Sequence, residues 1–227
     1  MRLPFSGRHA EVVRDATRID LGALSDDLVA ATSELELSPQ EEAASYLDQA
    51  VEAFEQAEHS FDQADEPDDF ADVTAAIGRS RHLLACARAR ANHKPAPDEA
   101  QPCFFDPSHG PAARLIVWTP PDGQDPRTVP VCGADGELLE ADIQPEPRRV
   151  AVGDEVVPYW DAPSYFVPWF SGYFESVRGC AASDLLAGLP LGEAFQGDSS
   201  ADDDLVFTRQ EIRDRWDEPP PPDEWSQ

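Results

Sequence analysis

Lysine is almost missing from this chain. Lys94 stands beside 16 arginines, and asparagine and methionine occur once each, as Asn92 and Met1. Avoidance of AT-rich codons in a GC-rich genome produces that profile, so the preference for Arg over Lys carries no message about phosphate recognition. Bases of either kind are scarce: 17 Lys and Arg against 45 Asp and Glu leave a net charge of −28 on 227 residues. Nucleic-acid affinity comes from neutralising phosphates, and attraction to an anionic membrane surface works the same way, so the deficit argues against both. The excess of acid suits haloadaptation or plain solubility.

Other absences narrow the field. No apolar run approaches the ~18 residues a bilayer span requires. Arg2, Arg8, Arg14 and Arg18 have no apolar stretch behind them, so no secretory signal is read and a cytoplasmic location is expected. Four cysteines in a chain of this length do not make a disulfide scaffold. Glycine-rich phosphate loops, G-x-S-x-G and H-E-x-x-H are all missing, which removes the commonest enzyme signatures.

What is present is organised by charge. From Asp20 to Asp72 there are 17 acids and no Lys or Arg; from Arg79 to Lys94 there are five bases and no acid. Ser38-Pro39-Gln40-Glu41 reads as a helix start with Ser38 as cap, Pro39 in the first turn and Glu41 closing a capping box. Leu47, Val51, Phe54, Glu58 and Phe61 then recur at helical spacing, and after Asp65-Glu66-Pro67 so do Phe70, Val73, Ile77, Arg81 and Leu84. Folded back as an antiparallel hairpin, Phe61 faces Phe70, Phe54 faces Ile77 and Leu47 faces Leu84, each pair at the same index sum of 131. Glu41 falls opposite Arg90 in that register, with acids at one helix N-terminus and bases at the other C-terminus, where both macrodipoles favour them.

Residues 8–35 carry a looser pattern (Val12, Val13, Ala16, Leu21, Leu24, Leu28, Val29), interrupted near Asp20-Leu21-Gly22. A hairpin needs a further partner to bury its apolar seams, so a three-helix bundle is expected, or a longer helix that uses another chain. Beyond the linker 95–102, strands are expected at Ala113–Thr119 and Arg127–Cys132, a short helix at Gly133–Ala141, and a second hairpin at Arg148–Val152 and Glu155–Tyr159. Ala162–Phe174 carries six aromatics and no charge, and its two prolines speak against a regular helix. Those rings either cap the β module or form an exposed patch. The fold class is therefore α+β. It comprises an N-terminal helical segment (1–37), a helical hairpin (38–94), the linker, a small β module (103–178) and an acidic, proline-containing tail (179–227) expected to be mostly disordered.

One constellation has the residue types of a metal site. Cys103-Phe104-Phe105-Asp106-Pro107-Ser108-His109-Gly110 precedes the first hairpin, and Cys132-Gly133-Ala134-Asp135 follows it. Knuckle, hairpin, knuckle and helix is the order of a treble-clef zinc module, and zinc takes four thiolate, imidazole or carboxylate ligands in a tetrahedron. Cys103, His109, Cys132 and Asp135 would supply them. Cys132-x-x-Asp135 is a weaker signal than C-x-x-C, because carboxylate is a poorer structural ligand for zinc than thiolate. Buried free thiols and a disulfide are the other readings of Cys103 and Cys132.

Together with Val129-Pro130-Val131-Cys132, Val157-Pro158-Tyr159-Trp160 and Gly172-Tyr173-Phe174, that motif resembles an uncharacterised actinobacterial family. In it a C-F-F-(N/D)-P-x-H-G segment follows a helical hairpin, sometimes C-terminal to a TPM domain. The resemblance spans roughly residues 38–195. It implies an ancestral second C-x-x-C knuckle, whose last cysteine is replaced here by Asp135, and it brings no known reaction. Some relatives look envelope-associated, which implies peripheral membrane contact as an option. The reading that follows is a non-catalytic interaction or scaffold protein with another protein as partner. Trp216 and Trp225 serve as docking anchors in the tail, and zinc is the possible cofactor. The alternatives are a metal-dependent hydrolase or an envelope-associated factor using the Cys/His/Asp site.

Overall fold

Two apolar stripes separated by Asp65-Glu66-Pro67 dictate a turn between two helices, and the computed structural model has one there. It describes residues 6–37, 40–98, 101–121 and 125–175. All lie in the first of the chain's two compact units (residues 1–193); the tail lies outside the described residues. Helix α2 (Glu41–Gln63) ends before a single 3-10 turn at Pro67–Asp69, which leads directly into α3 (Phe70–Ala91). Asp69 Oδ2 accepts the backbone N–H groups of Asp65 and Glu66, both at 2.9 Å. That arrangement satisfies donors a helix start would otherwise leave open.

The expected register is present. Phe61 meets the edge of Phe70 with ring centroids 6.3 Å apart. Farther along, Ser80 Oγ donates to the Ala50 carbonyl (2.7 Å), and at the far end Gln40 Nε2 donates to the Ala91 carbonyl (2.8 Å). Arg90 pairs with Glu42 rather than Glu41, its Nε donating to Oε1 at 2.7 Å. Two details differ from expectation. Gln40 immediately precedes α2 and makes no side-chain cap, because its amide is committed to the end of α3, while Ser38 and Pro39 lie outside the described residues. The buried stripe of α2 is Ala43, Leu47, Ala50, Ala53 and Ala57, while Val51, Phe54 and Phe61 are only partly buried. Alanines let the two helix backbones approach, and the larger side chains cover the margins of the seam.

Helix α1 (Ser6–Leu37) packs against both α2 and α3. The expected interruption at Asp20-Leu21-Gly22 does not occur. Ala10, Val13, Ala16, Leu24, Leu28, Ala31 and Leu35 form a buried stripe long enough to outweigh one helical glycine, which costs ~1 kcal/mol. Asp20 sits in that stripe because it is paired. Its carboxylate accepts from Arg148 Nη2 (2.7 Å) and from Tyr173 Oη (2.9 Å). Val29, expected inside, is exposed.

Strand β1 (Arg114–Trp118) pairs antiparallel with β2 (Arg127–Val131), and α4 (Gly133–Glu140) follows at once. Strands β3 (Arg149–Val152) and β4 (Glu155–Pro158) form a separate antiparallel pair turned at Gly153, whose φ of +63° suits glycine. A 3-10 turn at Ser164–Phe166 then feeds α5 (Val167–Glu175). The two prolines therefore do not prevent a helix. Pro168 is the second residue of α5, where a missing N–H breaks no helical hydrogen bond. Phe166, Trp169, Phe170, Tyr173 and Phe174 are buried, so this stretch is core and not an exposed patch. Gly172 seats α5 on α3: a Cβ there would lie 2.1 Å from the Ala71 carbonyl oxygen.

Candidate metal centre

The ligand-bearing loop is built by its own backbone. Cys103 N–H donates to the Gly110 carbonyl (3.0 Å), His109 N–H to the Asp106 carbonyl (3.0 Å), and Asp106 Oδ1 accepts Ser108 N–H (2.7 Å). Gly110 closes the loop with φ +85° and ψ −159°, a conformation that favours glycine. Phe104 N–H bonds the Pro130 carbonyl (2.8 Å), which seats the loop beside β2. Phe104 also stacks on Trp160 at 5.3 Å and meets Trp118 at 5.5 Å, so the loop is anchored by rings on one side and backbone on the other. At the end of β2, Cys132 caps α4 with its sulfur, which accepts Asp135 N–H at 3.4 Å.

These local rules bring the four expected residues together. Ligand atoms of Cys103, His109, Cys132 and Asp135 all lie within 4.8 Å of one another. Cys103 Sγ donates to Asp135 Oδ2 at 3.0 Å, His109 Nδ1 lies 2.9 Å from the same oxygen, and Cys132 Sγ lies 3.8 Å from His109 Nδ1. For metal–ligand bonds of 2.0–2.3 Å, the edge of a tetrahedron is roughly 3.3–3.8 Å, so small displacements bring this set onto one ion. Cys103, Cys132 and Asp135 are buried, while the His109 side chain is 39% exposed and forms the solvent edge of the cluster. Both cysteines are free thiols, so the disulfide reading does not hold in this structure.

The surroundings of Cys103 disfavour it as a nucleophile. Burial, and then the Asp135 carboxylate that accepts its hydrogen, push the Cys103 thiol far above its ordinary range. A protonated thiol is a poor attacking group. A Cys-His-Asp relay also needs the two imidazole nitrogens divided between thiol and carboxylate. Here one nitrogen, Nδ1, faces both Cys132 and Asp135. The donor atoms converge on one point, an arrangement that could hold a metal ion.

Sequence reasoning missed the polar groups that hold this cluster against the helices. Arg81 Nη1 donates to the Ser108 carbonyl and to Asp27 Oδ2, each at 3.2 Å. Arg148 N–H donates to the Phe105 carbonyl (2.6 Å) and Tyr159 Oη to the Phe104 carbonyl (2.8 Å). Burial raises the Tyr159 phenol well above its usual range, so it remains a donor. One signal was available. Arg81 interrupts the apolar stripe of α3, and a guanidinium on a core stripe requires buried acceptors.

The remaining candidates separate cleanly. Cys86 is buried on α3, its thiol raised chiefly by burial, with Sγ 3.5 Å from His82 Nε2; it is a small core residue. Trp216 and Trp225 lie outside the described residues. Among the described residues, no helix is long and apolar enough to cross a membrane. No family model, curated protein or solved structure matches the chain.

Proposed function

We propose that the protein is a non-catalytic interaction or scaffold protein whose β module is stapled by one zinc ion on Cys103, His109, Cys132 and Asp135. The observation that carries this reading is the convergence of four donor atoms, one from each residue, within 4.8 Å. Four protein ligands fill a tetrahedral zinc, whereas a catalytic zinc keeps a position open for water or substrate. Loop, hairpin and helix follow in the order of a treble-clef knuckle, with Asp135 standing where a second C-x-x-C would place its last cysteine. The module's two short sheets share one core with the helices, and a metal crosslink would tie the loop at Cys103 to the start of α4. The family resemblance rests in part on this same segment, and on it we propose kinship with that actinobacterial group.

A metal-dependent hydrolase is the second reading, and the exposure of His109 favours it: an ion there would have one solvent-facing side. The two readings part on ligand exchange. In protein reconstituted with cobalt(II), a closed site leaves the visible spectrum unchanged when azide is added. A spectral shift, from azide entering an open position, would return the hydrolase reading.

A further inference from the structure

Arg81 sits on the helical hairpin, yet its guanidinium belongs equally to the ligand-bearing loop. It is 6% exposed, and its two terminal nitrogens reach three places. Nη1 donates to Asp27 Oδ2 on α1 and to the carbonyl of Ser108, the residue before His109, both at 3.2 Å; Nη2 reaches the Asp20 carbonyl at 3.4 Å. The same stretch of α1 grips the loop a second time. Asp20 Oδ1 holds the Arg148 guanidinium at 2.7 Å, and Arg148 N–H holds the Phe105 carbonyl at 2.6 Å. A buried guanidinium stripped of an acceptor carries a large desolvation penalty. The order of the loop and the seating of α1 on α3 are therefore linked through these groups. The loop and α3 also face each other across a cleft of about 700 Å³, with Arg81 and His82 on one wall and Pro107, Gly110 and Pro111 on the other.

We propose that Arg81 is a positioning residue that makes metal loading and packing of the helical bundle one coupled equilibrium, so that the loaded centre sets the wall of this cleft. The proposal rests on the zinc reading above. Metal that fixes Cys103 and His109 fixes the Ser108 carbonyl between them, and Arg81 passes that order to Asp27 and Asp20 on α1. Conversely, a bundle that holds Arg81 in place presents the loop to the ion already shaped. Residues that support ligands from outside the coordination sphere typically contribute 10–100-fold in metal affinity, and coupling between sites is reciprocal.

The test is zinc affinity of the full chain, measured in competition with a chromophoric chelator, for wild type, Arg81→Ala and Ser80→Ala. Ser80→Ala removes the hydroxyl bond to Ala50 and loosens the hairpin without touching the loop. Arg81→Ala is expected to bind zinc about 10-fold or more weakly, with the cobalt(II) spectrum of the loaded protein unchanged because all four ligands remain. Ser80→Ala is expected to bind as wild type does. Hydrogen exchange on wild type reads the coupling from the other side, even if Arg81→Ala does not fold. Zinc should slow exchange in α1 around residues 20–28 by at least ~5-fold. Folded Arg81→Ala with wild-type zinc affinity, or exchange in α1 indifferent to zinc, overturns the coupling while leaving the zinc site standing. Wild type that binds no zinc overturns the site itself.

Discussion

The helical hairpin and the β module solve the same problem with opposite materials. The hairpin buries small side chains along α2 (Ala43, Ala50, Ala53 and Ala57) and relies on close approach of two regular backbones. The module is packed with large rings, among them Phe104, Phe105, Trp118 and Tyr159, around segments with little regular structure. The polar groups differ as well. Charges on the hairpin are mostly exposed, Arg81 excepted, whereas the module and its junction with α1 bury Asp135 and Asp20. A periodic element can bury alanine because every turn contributes; an irregular one needs bulky rings.

Ligand removal should break this contrast most sharply. Cys103→Ser keeps a hydrogen-bond donor beside Asp135 but loses a thiolate ligand. Zinc affinity is expected to fall by more than the ~10–100-fold that a supporting residue contributes. Circular dichroism would then show loss of the near-ultraviolet signal from rings such as Trp118 and Trp160, with most of the helical signal retained. Equal loss of both signals would mean that hairpin and module unfold together.

Asp20 tests the junction. Asp20→Ala leaves the Arg148 guanidinium buried without its carboxylate, and urea denaturation should report a loss of about 3–5 kcal/mol. The pH dependence has a definite sign. Burial raises the Asp20 carboxyl above its ordinary value of 3.8, against the opposing pull of Arg148, Tyr173 and Arg81. The folded chain then holds that proton to higher pH than the unfolded chain. This group's contribution is full below the ordinary value and is lost as pH rises through the folded one. The stability of wild type relative to Asp20→Asn should therefore shrink as pH increases from 3.8. A difference that grows over the same range would mean that the arginines hold the carboxyl ionised.

The smallest effect belongs to the hairpin's surface. Glu42→Gln removes the partner of Arg90 at a site where the Glu42 side chain is 57% exposed. A loss under ~1 kcal/mol is expected, and added salt should erase it. A larger loss would move the hairpin's stability from its apolar seam to its charges.

How far the sequence could be read follows from the same contrast. Helix α3 was legible because its stripe from Phe70 to Leu84 is periodic and the Glu66–Asp69 capping box starts the 3-10 turn that leads into it. In α2 the eye follows Phe54 and Phe61, yet alanine governs the contact, and small apolar residues weigh little in a hydrophobic pattern. Asp20 read as a break in α1 because its partners, Arg148 and Tyr173, lie 128 and 153 residues away in sequence. Pro168 read as a helix breaker because the pattern did not reveal where α5 begins. The Cys/His/Asp cluster was legible because cysteine and histidine are costly to place by chance beside a predicted hairpin. Of the arginines that brace it, only Arg81 left a signal, as a charge on the core stripe of α3; nothing local to Ser108 or Phe105 points to α3 or α1.

The central claim is that four side chains hold one ion, and counting that ion tests it most directly. Elemental analysis of the full chain, purified from zinc-supplemented medium without chelator, should give about one zinc per chain, against near zero for the double variant Cys103→Ser, Asp135→Ala. Wild-type protein that is folded yet free of metal, and that takes up none when zinc is supplied, would contradict the account.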